Sequence, residues 1–240
     1  MRILITNDDA MYAPQLVPLI RWWQKHGQVT VVVPKFEQSG KSHGIEIHKS
    51  FEAKQVTLAE GITAWAVDST PADCVRFALL GLNQQYDLVV SGINKGLNIG
   101  SDIMYSGTVS AVLEAAALDH KAIALSTPPE YYDRALDHLD RVWEFVEKNR
   151  LLEKHPVYNI NIPADPKTIR ITHQGGPYFT DSFIPQENDL YHPHGYSIYE
   201  DRQDDTLDTD SVMHGHISIM PLTIDKTDWK AYEALACLSE

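Results

Sequence analysis

The chain has little of several things, and each shortage narrows what it can be. It carries two cysteines in 240 residues, Cys74 and Cys237. Two thiols so far apart fit a reducing cytoplasm better than a disulfide scaffold. No apolar run reaches the length of a membrane span. The first residues enter an apolar segment directly, without the charged region, apolar core and cleavage site of a secretory leader. A cytoplasmic protein with no membrane partner is therefore expected. Positive charge is scarce: 20 lysines and arginines against 33 acidic residues give a formal net charge of -13. That disfavours binding to nucleic-acid duplexes, which needs a basic footprint. It also means that an anionic substrate needs a local cation or a set of backbone N–H groups to offset the field.

Several phosphate-handling motifs are missing too. There is no G-x-x-x-x-G-K-[ST] run, and no G-x-G-x-x-G after the first apolar segment. Aspartyl-phosphate chemistry needs Asp-x-Asp after the first strand, and Ala10 stands where the second acid would be. A cysteine phosphatase needs an arginine several residues beyond its nucleophile. Here Arg76 follows Cys74 by two residues, inside a predicted helix.

What is present is a regular alternation. Hydrophobic content of 43% with 22% charged residues is ordinary for a globular protein, and the length suits one large domain or one with an extension. Apolar segments at Ile3–Thr6, Val29–Val33, Ile62–Val67, Leu88–Val90 and Ala122–Leu125 read as buried strands of a parallel sheet. Between them lie helical stripes: Leu16, Leu19, Ile20 and Trp23; Val75, Leu79 and Leu82; Val109, Val112, Leu113 and Ala116; and Leu136, Leu139, Trp143 and Val146 within 135–146. Thr70-Pro71-Ala72-Asp73 is a capping box that opens the second helix. The predicted fold class is α/β: a Rossmann-like, doubly wound, mainly parallel sheet over residues 1–150. A β-rich extension over 151–240, continuous with that core, includes strands at Val157–Ile162 and His216–Met220. The stretch from His173 to Asp210 is read as a long loop. Its acidic run from Glu200 to Asp210 is read as solvated. His192/His194 and His214/His216 are read as polar surface and not as a transition-metal clasp. The aromatics Tyr178, Phe179, Phe183, Tyr191, Tyr196 and Tyr199 either stack on a base or line a subunit interface, and the interface is the reading taken.

Chemistry concentrates at strand ends. Asn7-Asp8-Asp9 closes the first strand. Adjacent carboxylates at the mouth of a buried strand repel each other and are costly to desolvate, so they persist most easily where something positive binds. In open α/β sheets that edge is where ligands sit. The glycine-rich run from Ser91 to Asp102 follows another strand and offers Asn94 and Asn98. Ser106-Gly107-Thr108 enters a helix with free N–H groups, two hydroxyls and the positive end of the helix dipole, which suits an anion. Gln38 to Ser42 can bring the Ser39 hydroxyl to the same edge. These donors are all oxygens, which select Mg²⁺, Mn²⁺ or Ca²⁺ over Zn²⁺. A hard cation beside an oxyanion cradle is the arrangement that metal-assisted phosphate ester hydrolysis requires.

In these residues the chain resembles the SurE (survival protein E) family of metal-dependent nucleoside monophosphate phosphatases. The resemblance is carried by Met1 to Asp9, Ser39-Gly40, Thr70 to Val75, and the run from Ser91-Gly92-Ile93-Asn94 to Ser106-Gly107-Thr108-Val109. It is strong over about the first 125 residues and continues through Asn159–Pro163 and Ser218–Leu222. It implies a 5′/3′-nucleotidase that releases nucleoside and phosphate by attack of a metal-activated water. One divalent ion, Mg²⁺ or Mn²⁺, would be held by Asp8, Asp9, Ser39 and Asn94. Asn98 and Ser106, with Gly107 and Thr108, would grip the phosphate, which makes Asp8, Asn98 and Ser106 the expected catalytic residues. It further implies a homodimer or homotetramer built through a C-terminal arm. The chain departs from the family pattern at Ala10, where glycine is usual, so the turn there either avoids positive φ or tolerates strain. A non-catalytic nucleotide or phosphate sensor and a polyphosphatase remain as alternative readings.

Overall fold

Of the chain's residues, 1–238 are described by the structure, a computed structural model. Ser239 and Glu240, the last two residues of the predicted extension, lie outside them. The first half runs β1 (Arg2–Thr6), α1 (Leu16–Trp23), β2 (Gln28–Pro34), β3 (Ala53–Ala59), β4 (Ile62–Val67), α2 (Pro71–Arg76), β5 (Leu88–Lys95) and α3 (Gly107–Ala117). It continues through β6 (Ala122–Thr127), α4 (Leu139–Lys148), α5 (Leu151–Lys154) and β7 (Val157–Asn161). The last part holds β8 (Ile169–Ile171), β9 (Phe179–Pro185), β10 (Tyr191–Ser197), α6 (Asp208–Met213), β11 (Ile217–Pro221) and α7 (Trp229–Leu235).

Nine strands form one sheet in the order β3-β4-β2-β1-β5-β6-β7-β11-β8. From β4 to β7 every neighbouring pair is parallel, while β3 and β11 join antiparallel. Among the parallel strands the order in chain sequence is 3-2-1-4-5-6, the doubly wound arrangement expected from the alternating pattern. Its winding reverses between β1 and β5.

The strand residues explain the two layers. Side chains alternate across a strand. Ile3 and Ile5 join a core with Leu16, Leu19, Ile20 and Trp23 of α1 and Leu139, Val142, Trp143 and Val146 of α4. Leu4 faces the other way, into a core with Cys74 and Val75 of α2 and Val109, Val112 and Ala115 of α3. Trp23 and Trp143 meet edge to face, with ring centroids 4.8 Å apart, so the two helices of the first layer lock through one aromatic pair.

Some predicted elements change. β5 is longer than its apolar run, continuing through Ser91-Gly92-Ile93-Asn94-Lys95, with its register against β6 shifting between Ser91 and Asn94. Gly92 makes this possible: it has φ +128°, and a Cβ there would lie 2.4 Å from the Leu125 carbonyl oxygen. The edge strand β3 has no apolar run and was not foreseen. The helix expected from Ala135 begins at Leu139, after a turn. The capping box forms by half. Thr70 Oγ1 accepts from the Asp73 N–H at 3.1 Å, but the Asp73 carboxylate turns to the Ser69 hydroxyl and the Glu46 N–H.

The largest correction lies between His173 and Asp210. The expected loop contains the β9–β10 hairpin and the start of α6. Asp208 and Asp210, read as solvated, are fully buried. Asp208 accepts from the N–H groups of Gly100, Gly175 and Thr209, and Asp210 from those of Arg202 and Asp204. Burial raises the Asp208 carboxyl above its usual range, and these backbone donors oppose the rise. His214 likewise has both ring nitrogens against Asp205 and Asp201.

Candidate active site

The chain turns sharply after β1. Asn7 donates its side-chain amide to the Ala10 carbonyl at 3.0 Å, and the Ala13 N–H reaches the same oxygen at 3.2 Å. Ala10 takes φ +68°, so the turn adopts the strained conformation that glycine would relieve. This sends the two neighbouring carboxylates to different partners. Asp8 Oδ1 accepts from the Thr108 hydroxyl at 2.5 Å, at the first turn of α3. Asp9 Oδ2 accepts from the Lys95 N–H at 3.1 Å, at the end of β5. The Gln38 N–H reaches the Asp8 carbonyl at 2.9 Å and brings in the segment after β2. The loops after β1, β2 and β5 and the N-terminus of α3 thus meet where the sheet's winding reverses.

α3 approaches Asp8 closely because residue 107 has no side chain. A Cβ on Gly107 would lie 3.1 Å from Asp8 Cβ, 3.2 Å from Pro71 Cγ and 3.3 Å from Asp8 Oδ2. Ser106 caps the helix, its Oγ accepting from the Val109 N–H at 3.1 Å. The Gly107 N–H has no backbone acceptor among the described residues, the Thr108 N–H faces the Asp8 carboxylate, and both stand at the positive end of the helix dipole.

Electrostatically the pair is short of positive charge, with the Lys95 ammonium acting on Asp9 against two carboxylate neighbours. Asp8 is 4% exposed, and burial raises its carboxyl above the ordinary range, opposed by the Thr108 hydroxyl. Asp9 is raised to about 6, first by burial and then by the charge of Asp8, with the Lys95 N–H opposing. Glu37 adds a third negative charge that pushes both upward. Two further oxygens at this end of β1 and β5, Asn7 Oδ1 and Ser91 Oγ, are buried without a hydrogen-bond partner among the described residues.

The predicted residues fall into two groups. Asp8, Asp9, Gly107 and Thr108 share one locus, and Asn94 adjoins it through Lys95. Asn94 uses its Nδ2 on the Gly96 carbonyl at 2.8 Å, and its Oδ1 has no donor among the described residues. Ser39 is exposed, and its hydroxyl donates to Glu37 at 2.7 Å and to neither aspartate. Asn98 is buried, with its Nδ2 on Ser126 Oγ at 2.8 Å.

Sequence reasoning missed what holds Asn98. The carboxamide of Asn161 grips both peptide groups of that residue. Its Oδ1 accepts from the Asn98 N–H at 2.9 Å, and its Nδ2 donates to the Asn98 carbonyl at 2.8 Å. Asn159 donates to the same carbonyl at 2.8 Å. The available signal was two asparagines with period two in an otherwise apolar strand, which puts both on one face. Glu37 and Lys95 were also missed, and nothing in their local sequence marks them.

Fold and site together define a doubly wound α/β protein with an acidic, oxygen-rich centre against a helix N-terminus at its topological switch point. The family model of "Survival protein SurE" matches residues 3–181. The chain belongs to the SurE family. Two relatives called 5′-nucleotidase SurE, from Thermoanaerobacter sp. (strain X514) and Clostridium beijerinckii, are each 36% identical to it. The alignments cover 98% of this chain and 97% of the first relative, and 95% of both chains for the second. The crystal structure of the SurE protein from Aquifex aeolicus matches all of both chains with a TM-score of 0.76 at 26% identity.

Proposed function

We propose that the chain is a divalent-metal-dependent phosphomonoesterase that hydrolyses nucleoside monophosphates to nucleoside and phosphate. The observation that carries this reading is the 2.5 Å contact between Asp8 and Thr108, which joins a charge-deficient acid pair to an anion-binding helix terminus. The relatives' name, 5′-nucleotidase, supports the substrate class.

The donor set fits one Mg²⁺ or Mn²⁺. It offers two carboxylates raised by burial and mutual repulsion, the free Asn94 Oδ1, and the Ser39 hydroxyl once it leaves Glu37. When bound, such an ion supplies Lewis-acid polarisation of the phosphoryl group and a lower pKa for water at the site. The remaining work falls to side chains and amides of this protein. Asp8 orients the attacking water and accepts its hydrogen bond. The water oxygen attacks phosphorus and gives up one of its protons, the bond from phosphorus to the nucleoside oxygen breaks, and that oxygen takes up the proton and leaves as a hydroxyl. The N–H groups of Gly107 and Thr108, with Ser106 and Asn98, stabilise the charge on the equatorial oxygens. No covalent enzyme intermediate forms. The β9–β10 hairpin, with Phe183, Ile184, Leu190 and Tyr191 exposed, is the arm through which a homodimer or homotetramer assembles. The buried Cys74 and exposed free Cys237 suit a reducing cytoplasm. Among the described residues no helix is long and apolar enough to cross a membrane.

The test is phosphate release from AMP with and without EDTA, in the parent protein and in Asp8→Asn. Release that EDTA stops, and that Asp8→Asn loses while staying folded, is expected. Undiminished turnover by Asp8→Asn removes the mechanism, and tight AMP binding without release favours a sensor.

A further inference from the structure

We propose that His43 is a positioning residue: clamped onto Glu114 of α3, it fixes the turn that carries Ser39 and so sets how that hydroxyl meets the cation site. This rests on the phosphomonoesterase reading and gives a task to a side chain outside its centre. The turn spans residues 38–41 and is closed by the Lys41 N–H on the Gln38 carbonyl at 3.2 Å. Ser39 and Gly40 at its tip are exposed, and Gly40 takes φ +70° with open space where a Cβ would stand. The tip is packed against nothing beyond the bond from Ser39 to Glu37, so its place depends on its two ends. One end is Gln38, whose N–H reaches the Asp8 carbonyl. The other is the segment 42–46, which is fastened repeatedly. The Ser42 N–H reaches the Tyr105 carbonyl at 3.0 Å, and the Ser42 hydroxyl donates to the Met104 carbonyl at 2.6 Å. The Thr70 hydroxyl donates to the Gly44 carbonyl at 2.7 Å, and the Glu46 N–H to the Asp73 carboxylate at 2.8 Å. Met104 and Tyr105 lead directly into Ser106, so these bonds tie the Ser39 turn to the helix terminus that faces Asp8.

The side-chain anchor is Glu114, which is buried within α3. Its Oε1 accepts from Arg76 Nη1 and its Oε2 pairs with His43 Nε2, both at 2.7 Å. Burial would raise this carboxyl, but the bond from His43 first, and that from Arg76 with it, hold it below its ordinary range. An ionised carboxylate only accepts, so His43 Nε2 carries the proton and donates. A buried carboxylate needs such donors. Arg76 comes from α2, already packed against α3, whereas His43 comes from the loop, so the charge of Glu114 draws the loop down onto the helix. Both ends of the Ser39 turn thereby hang from one element. At its first turn α3 holds Asp8 through Thr108, and Asp8 holds Gln38. Less than two helical turns further on it holds His43 through Glu114. A ligand ordered in advance spares an ion the cost of ordering it. Without His43, the ion either fixes the tip itself or binds without the Ser39 oxygen.

The experiment measures the Mn²⁺ dissociation constant by isothermal titration calorimetry at neutral pH without nucleotide. It compares the parent, Ser39→Ala, His43→Ala, the double variant and His43→Gln, each checked for folding by urea denaturation. Ser39→Ala and His43→Ala should each weaken Mn²⁺ binding about tenfold, the lower end of what support around a metal ligand is worth. Because His43 acts through Ser39, the double variant should also lose about tenfold, whereas independent losses multiply to about a hundredfold. His43→Gln, which keeps an amide donor of similar reach, should restore the affinity of the parent. In the metal-free protein the Ser42 amide should exchange its hydrogen faster in His43→Ala than in the parent. Unchanged Mn²⁺ affinity in His43→Ala, a His43→Ala loss that recurs in full when Ser39 is already alanine, or unchanged exchange at Ser42 overturns the positioning role and leaves the phosphomonoesterase reading standing. A parent that binds neither Mn²⁺ nor Mg²⁺ overturns that reading, and the positioning role with it. If His43→Ala does not fold, Ser42→Ala, which removes the bond to the Met104 carbonyl, takes its place in the Mn²⁺ measurements under the same criteria.

Discussion

Stabilisation by a divalent ion should depend steeply on pH between 5 and 7.5, because Asp9 titrates at about 6. The sign follows from linkage. The folded pKa lies above the unfolded value of 3.8, so the native state binds the extra proton. In the metal-free protein, stability attributable to Asp9 is therefore lost as pH rises from about 4 to about 6. The lift amounts to ~3 kcal/mol at 1.36 kcal/mol per unit, and partial exposure and salt reduce it to ~1–2 kcal/mol. A bound cation favours the ionised pair, so it competes with that proton. At pH 7.5, Mn²⁺ at about a hundred times its Kd adds about 2.7 kcal/mol, roughly 5–11 °C in Tm for a chain of this size. At pH 5 about one Asp9 in eleven is ionised, affinity falls about tenfold, and the same concentration adds about 1.4 kcal/mol, roughly 3–6 °C. Differential scanning fluorimetry at the two pH values, with magnesium as a second ion, measures this directly. Equal Mn²⁺ shifts at both pH values, or the parent's pH dependence surviving intact in Asp9→Asn, would refute the reasoning.

Three further outcomes follow from the geometry. Gly107→Ala places a methyl 3.1–3.3 Å from Asp8 and Pro71, so Asp8 or α3 must shift; activity should fall at least about tenfold and stability by about 1–3 kcal/mol, read by AMP turnover and urea denaturation. Ala10→Gly removes a left-handed alanine costing about 1–2 kcal/mol and adds about 0.4–1 kcal/mol of unfolded-chain freedom. A gain near 0.5–1 kcal/mol, roughly 2–4 °C in Tm, should result, and a loss would show that the turn carries no strain. Asn161→Leu leaves the Asn98 N–H without its acceptor, and should cost about 1–3 kcal/mol in urea melts together with most of the turnover.

Much of this was legible in the sequence, for identifiable reasons. β1, β2, β4 and β6 are apolar runs that a sheet covered on both faces requires, so their pattern survives without context. Asp8, Asp9, Gly107 and Thr108 could be placed because each sits at the end of such an element. The hairpin was illegible because it buries little: Phe183, Ile184, Tyr191 and Tyr196 face outward, so no alternation marks the strands. The acidic run misled because charge predicts solvent, whereas Asp208 and Asp210 serve as acceptors for backbone N–H groups inside the protein. Asn161 was invisible as a site residue because its partner lies 63 positions away. β5 ran past its apolar stretch because Gly92 lets the backbone pass against Leu125, a close approach that composition does not reveal.

The 2.5 Å contact from Thr108 makes the Asp8 side chain part of two things at once: the buried acid pair at the rim of the sheet, and the anchor of a helix whose inner residues Val109, Val112 and Ala115 help to fill one layer. Whatever changes the ionic state of the rim therefore tugs on the cohesion of that layer. Occupancy of the centre should be audible far from it, for instance as slower amide hydrogen exchange along α3, and no replacement of Asp8 can be silent toward the helix it tethers.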